Sequence, residues 1–192
     1  MSGSFTVEIR PAVTADAAGI SKVQVDAWRD AYVGLLPDQA LIDMNPTKAA
    51  PRWMRIIVQM GDPRQFCVAV YEGKIVGFCH GGAQRRALDP MRRRRPGVAE
   101  IYTLYVDPNF QGCGIGSALM MRVSGHLRDA GYTALTLSML SGNRIARRFY
   151  QHLGGELGEE TPSVVMGTPA SEVLYRWEDI TSLLERLDAV MG

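Results

Sequence analysis

The sequence predicts an α/β (α+β) fold in which a mixed sheet is flanked by helices, and three observations carry that reading. Short β-rich runs alternate with helical-period runs along the whole chain, two strand-like runs are joined by the turn dipeptide Glu72-Gly73, and another passes through a glycine-rich turn into a helix and then an apolar strand. The hairpin makes the first part of the sheet antiparallel, and the strand-helix-strand unit requires one parallel crossover.

The elements follow in order. Residues 5–10 alternate like a strand, and Pro11 closes it, leaving Thr14 as the expected N-cap of a helix over residues 17–32, where Ile20, Val23, Ala27 and Ala31 recur at helical spacing. Gly34 and Pro37 end that helix, and a second is expected over 48–60. Residues 66–71 and 74–81 form the hairpin, whereas 84–97, with two prolines and many arginines, reads as an exposed loop. A strand over 100–106, a turn at Asp107-Pro108-Asn109, a helix over 114–130 ended by Gly131 and a buried strand over 134–140 come next. A helix over 143–152, two strands between Glu156 and Trp177, and a helix over 180–190 complete the chain. No repeat, linker or composition break divides the 192 residues, so one domain is expected.

The formal charge of +1 excludes the long-range field that gathers nucleic acid or an anionic membrane. Cys67, Cys79 and Cys113 are odd in number and lack the spacing of a disulfide framework or a zinc site. No apolar run approaches the ~18–20 residues of a membrane-spanning helix, and the start carries no basic region followed by an apolar one. A soluble, cytoplasmic protein without a metal is the expectation.

The chemistry concentrates in AEIYTLYVDPNFQGCGIGSALMMRV, where a strand turns through Gly112, Gly114 and Gly116 into a helix. Glycines so spaced let successive N–H groups turn inward, and the helix N-terminus adds partial positive charge suited to a pyrophosphate. A dinucleotide fingerprint is disfavoured because Ser117 stands where its third glycine would fall and residues 133–140 carry no acid; a P-loop would end in Gly-Lys-Ser/Thr, which is absent. A tight turn without any ligand remains the plain alternative.

The run Gln111-Gly-Cys-Gly-Ile-Gly after Leu-Tyr-Val-Asp-Pro resembles the acetyl-CoA signature of the GNAT superfamily of N-acetyltransferases. A second family motif, N-x-x-A-x-x-F-Y-x-x-x-G, is matched by Asn143, Ala146, Phe149, Tyr150 and Gly154. The element order agrees over nearly the whole chain, including the IRPA opening; Gly155 departs, since the family often has a bulky aromatic there. The resemblance implies a largely antiparallel sheet of about seven strands, and acetyl-CoA as acyl donor. Gln111, Gly112, Cys113, Gly114, Ile115, Gly116 and Ser117 would then wrap the pyrophosphate. Leu104, Tyr105 and Val106 would pair their backbone with the pantetheine arm, on a strand splayed from its neighbour. Asn143 would bond the pantetheine amide or the phosphate, compatibly with capping its own helix.

Transfer needs a neutral amine, whereas an ammonium has a pKa of ~10, so a base is required. Glu100, on one face with Tyr102 and Leu104 by the two-residue period, is the candidate, against a solvent-facing glutamate at a strand start. Tyr150 matches the family's general acid, against a core aromatic beside Phe149. A covalent role for Cys113 is disfavoured, because no histidine lies near it in sequence.

By the same resemblance the acceptor lies between the first helices and the loop joining the last two strands. Trp28, Arg29 and Tyr32 and residues 162–169 are therefore candidate substrate contacts, against ordinary packing of the two aromatics. His80 reads as structural. Arg92, Arg93, Arg94 and Arg95 could hold an anion but read as a solvated loop, with no interleaved aromatics for nucleic acid. The expectation is an N-acetyltransferase acting on a small-molecule or peptide amine, with a homodimer suggested by family analogy. The alternative is a CoA-binding sensor or interaction module without transfer activity.

Overall fold

A computed structural model describes residues 6–85 and 97–192; the four-arginine run lies outside them. The described residues contain seven strands, β1 (Glu8–Pro11), β2 (Phe66–Tyr71), β3 (Lys74–Ala83), β4 (Val98–Val106), β5 (Ala134–Leu140), β6 (Glu156–Val165) and β7 (Thr168–Trp177). They form one sheet in the order β1-β2-β3-β4-β5-β7-β6, antiparallel throughout except for β4 beside β5. The helices are α1 (Ala17–Ala31), α2 (Asp38–Asp43), α3 (Pro46–Gln59), α4 (Ile115–Asp129), α5 (Arg144–His152) and α6 (Ile180–Met191). The crossover from β4 to β5 runs through α4, as expected.

The period of two sorts β2 between two cores. Phe66 and Val68 join Ile20, Val23, Trp53 and Phe78 beneath α1 and α3, whereas Cys67 and Ala69 face Leu119, Val123, Leu183 and Leu187 of α4 and α6. A third cluster of Tyr32, Leu36, Leu41 and Leu140 ties the segment after α1 to the end of β5. Cys67 and Cys79 face each other in register as free, buried thiols, and burial pushes the Cys67 thiol up to about 11. No helix among the described residues is long and apolar enough to cross a membrane, and no group of three or more His, Cys, Asp or Glu there could hold a metal.

Four local expectations are corrected. Thr14 does not cap α1: residues Thr14–Asp16 form a 3-10 turn, and the Asp16 carboxylate holds the entry, accepting from Val13 N–H at 2.9 Å and from the Arg10 guanidinium at 2.7 and 2.9 Å. Strand β1 begins at Glu8 and takes in Pro11 at the edge of the sheet, Thr6 and Val7 standing before it and Phe5 lying outside the described residues. Helix α3 starts at Pro46, because Asn45 Oδ1 accepts from Thr47 N at 2.9 Å and Lys48 N at 3.2 Å. Residues 162–169 lie in a hairpin, β6 and β7 meeting at Met166-Gly167 with φ of 52° and 77°. Helix α2 was not anticipated at all. Its end is closed by Arg29, which donates to the carbonyls of Leu41, Ile42 and Met44 at 3.0, 3.0 and 2.8 Å. Arg29 is thus a clamp on the fold.

His80 on β3 stacks on Phe66 with centroids 4.9 Å apart and meets Tyr102 edge-on at 4.9 Å. Burial, aided by the charge of Arg85, lowers its pKa from 6.5 to about 4. Below pH 6.5 the unfolded chain therefore takes up a proton that the folded chain refuses. Stability is expected to fall as pH drops from 6.5 to about 4, by up to about 3 kcal/mol. The carboxylates held below their usual range, Asp62 at about 2 by the Arg64 guanidinium and also Asp16 and Asp179, add to the decline only from about pH 5 downward, so the upper part of the window reports His80. Urea midpoints measured across it should decline for the wild type and flatten for His80→Phe; equal slopes would assign the decline to other groups.

Candidate active site

Strands β4 and β5 pair for only four residues, Val98 to Ile101 against Ala134 to Leu137, and then separate. Beyond that point β4 is held only by β3, as far as Val106 against Gly77, and β5 only by β7, as far as Leu140 against Glu172. The cause lies in the β3–β4 register, where His80 faces Thr103 and Gly81 faces Ile101, leaving Tyr102 as an extra residue. Such a bulge bends its strand and increases the local twist. Between the diverging strands opens a cavity of about 400 Å³, walled by residues 102–106, 137–139 and both aromatics of the Phe149-Tyr150 pair.

The bulge also corrects a face. Glu100 pairs with Gly82 and Tyr102 lies across that same glycine, but Leu104 packs with Val106 against the α4 core while Tyr105 packs under α1. Glu100 and Leu104 are therefore on opposite faces, since one extra residue inverts the alternation.

At the carboxyl end of β4 the Asp107 carboxylate accepts from Asn109 N at 2.9 Å and shapes a 3-10 turn over Pro108–Phe110. Gly112 and Gly114 follow with φ of 75° and 77°, a region that side chains rarely adopt, and nothing stands near where their Cβ atoms would be. Gly114 is the N-cap of α4, so the free N–H groups of the first turn border the cavity. Gln111, Gly112, Gly114, Ile115, Gly116 and the buried Ser117 line it. Cys113 does not; it is exposed, with its thiol 3.7 Å from the Gln111 carbonyl.

The end of α1 closes the mouth. Tyr32 lines the cavity, with its hydroxyl beside the Asn143 side chain and the Tyr105 hydroxyl, so one phenol stands where α1, β4 and the start of α5 meet. Burial raises both phenols. Asn143 Oδ1 accepts from Ala146 N at 3.0 Å, so its capping role is real, and its side chain lies beside the Tyr32 hydroxyl. Trp28 lies outside the lining, edge-on to Tyr32 at 5.1 Å; its indole N–H sits beside the Tyr105 hydroxyl but is not aimed at it. Trp28 is a wall behind the site.

Tyr150 lines the cavity with only 5% of its surface exposed, its ring packed among Phe149, Tyr175 and Trp177. Burial pushes its phenol far up, so the proton stays on Oη at every physiological pH. Glu100 is not in the lining. Its carboxylate accepts from Arg85 N at 2.9 Å, Nη2 at 2.9 Å and Nε at 3.3 Å. Sequence reasoning missed Asp30, Thr103, Ser138 and Met139, which all border the cavity. Only their place beside the glycine strand and at the end of α1 could have pointed to them.

Comparison with known proteins identifies the class. An N-acetyltransferase of Bacillus subtilis, YuaI, itself uncharacterized, is 26% identical over 92% of this chain and 96% of its own length. Mycothiol acetyltransferase of Thermobifida fusca is 39% identical over 51% of the chain, which spans only 30% of that protein. Among solved structures, PaiA N-acetyltransferase of Thermoplasma acidophilum in complex with coenzyme A superposes with a TM-score of 0.64 at 17% identity, over 90% of this chain and 99% of that one. YncA of Salmonella typhimurium with its cofactor acetyl-CoA gives 0.65 at 22% identity, over 90% and 93%. At such identities these structures establish the fold. Fold, site and relatives together define an acyltransferase. More narrowly, the chain belongs to the Acetyltransferase (GNAT) family, whose profile matches residues 26–155.

The departure at Gly155 has a local cause. A Cβ there would lie 2.7 Å from Trp177 Cζ2, 2.9 Å from Tyr175 Cδ1 and 3.0 Å from the Tyr150 carbonyl, so Trp177 already fills that space. Trp177 is fixed by its indole N–H, which donates to Leu153 O at 2.9 Å. Gly155→Ala should lower stability by about 1–3 kcal/mol through overpacking, read as a lower urea midpoint; an unchanged midpoint would show that the two rings give way.

Proposed function

We propose that the protein is an N-acetyltransferase that moves the acetyl group of acetyl-CoA to a primary amine of a small molecule or peptide, acting as one domain. The splay of β4 from β5 above the N-terminus of α4 carries this reading. Backbone groups of 103–106 on the open side lack a strand partner on β5, while the loop at Gly112 and Gly114 presents N–H groups and no side chains. Those features suit a ligand that is extended and amide-bearing at one end and anionic at the other. Two solved structures of the same fold contain coenzyme A or acetyl-CoA.

Acetyl-CoA would supply the acyl group activated as a thioester. Residues 104–106 would offer backbone bonds to its arm, and Gly112 through Ser117 would receive its diphosphate. The new bond joins nitrogen to the acyl carbon, and the bond that breaks is carbon to sulfur. An amine proton passes through water to Glu100, because the carboxylate stands outside the lining. Tyr150 donates from Oη toward the departing sulfur, a role for which its buried phenol is always protonated. The mycothiol acetyltransferases match only about half of this chain, so their acceptor is not carried over.

Calorimetric titration should give saturable binding of acetyl-CoA and none of NAD or ATP. Tyr150→Phe should lower kcat about 10²-fold or more, and Glu100→Gln kcat/KM by a similar factor, with acetyl-CoA Kd kept within about twofold. Absence of acetyl-CoA binding would end the reading of the donor site. Silent substitutions with binding intact would end the assignment of acid and base.

A further inference from the structure

The Glu100 side chain is 16% exposed, whereas its partner Arg85 is 59% exposed. An exposed ion pair contributes ~0–1 kcal/mol, and the Arg85 backbone N–H already gives the carboxylate one bond at 2.9 Å. The guanidinium adds two more, Nη2 and Nε both to Oε1 at 2.9 and 3.3 Å, which stability alone hardly requires. The same guanidinium lies over the Tyr102 ring, 4.0 Å from its centroid. Tyr102 is the bulged residue, lines the cavity, and donates its hydroxyl to the Ala83 carbonyl. Its ring lies across Gly82, where a Cβ would come within 2.8 Å of that hydroxyl. One side chain therefore locks the carboxylate to the strand segment that forms the cavity wall.

We propose that Arg85 is a positioning residue for removal of the acceptor's proton. The inference rests on the reading of Glu100 as base. A carboxylate has about four acceptor sites. Among the described residues, Arg85 fills three, one through its backbone and two through its guanidinium, and leaves a single site for the water that carries the proton. The guanidinium fixes where that site points by holding the Glu100 rotamer against Tyr102. When the ammonium N–H bond breaks, the proton goes to the water, and a water proton goes to Glu100 Oε2.

The test compares two acceptors on the full-length protein at pH 7 by thiol release from acetyl-CoA. The first, n-butylamine, arrives as an ammonium and needs the base; the second, hydroxylamine, is already largely neutral. Arg85→Ala should lower turnover of n-butylamine about tenfold, as for a misplaced catalytic group, and turnover of hydroxylamine by less than about twofold. Arg85→Lys should recover part of the loss, keeping the charge but not the planar fork. Arg85→Ala combined with Glu100→Gln should be no worse than Glu100→Gln alone, the non-additivity of groups acting in series. Equal losses with both acceptors, a fully additive double variant, or wild-type turnover in Arg85→Ala would overturn the inference while Glu100→Gln remained impaired. Wild-type turnover in Glu100→Gln would remove the base and this inference together. Acetyl-CoA binding without thiol release to either acceptor would overturn the small-molecule form of the transferase reading, and this inference with it.

Discussion

The structure turns on the point at which β4 and β5 stop pairing. Four residues of parallel ladder fix the two strands side by side, and beyond Ile101 and Leu137 each is anchored only on its outer edge. A buried backbone group without a partner costs about 1–3 kcal/mol, so a splay of this kind persists only where something else satisfies the exposed edges. Because the strands are parallel, their carboxyl ends lie together, and the helices that follow them, α4 and α5, both begin at the opening. The divergence, the glycine loop and the Asn143 cap are therefore consequences of one topological choice.

Charge is arranged around that opening in a consistent way. Tyr32, Tyr105 and Tyr150 surround the interior, and burial raises all three, so the lining offers hydroxyl donors without ionising. His80, behind Tyr102, is kept neutral at physiological pH by the same cause. Formal charge is left to Glu100 with Arg85 behind Tyr102 and to Asp30 on the exposed part of α1, while partial positive charge comes from the first turn of α4. A reaction that separates charge briefly inside a neutral pocket depends on such dipoles more than on free ions.

Much of this was legible in the sequence because the chemistry is written locally. The glycines at 112 and 114 need backbone conformations that few other residues adopt, and Asn143 caps the helix that it precedes, so both sites announce themselves within a few residues. What escaped notice depends on partners far along the chain. The bulge at Tyr102 is a property of the β3–β4 register, and it inverted the expected face of Leu104. Helix α2 is six residues long, too short to show a period, and is closed by an arginine from the previous helix. The approach of Tyr32 to Asn143 and the Arg85–Glu100 fork likewise join segments that no local pattern connects.

Gly155 shows how a family feature can be kept in physics while lost in letters. The aromatic volume usual after this helix is supplied from β7, where Trp177 packs against Tyr150 with centroids 6.1 Å apart and is tethered to Leu153. Tyr150 is therefore fixed by rings on three sides, and that packing both holds its ring and removes it from water. For the acid role proposed for Tyr150 the two effects oppose each other: a phenol raised by burial gives up its proton less readily, but would always be protonated when the sulfur departed. Donation of a hydrogen bond, with the proton moving only as negative charge develops on the sulfur, reconciles them. A buried tyrosine held by aromatic packing suits that role better than an exposed one, which could turn its hydroxyl toward water.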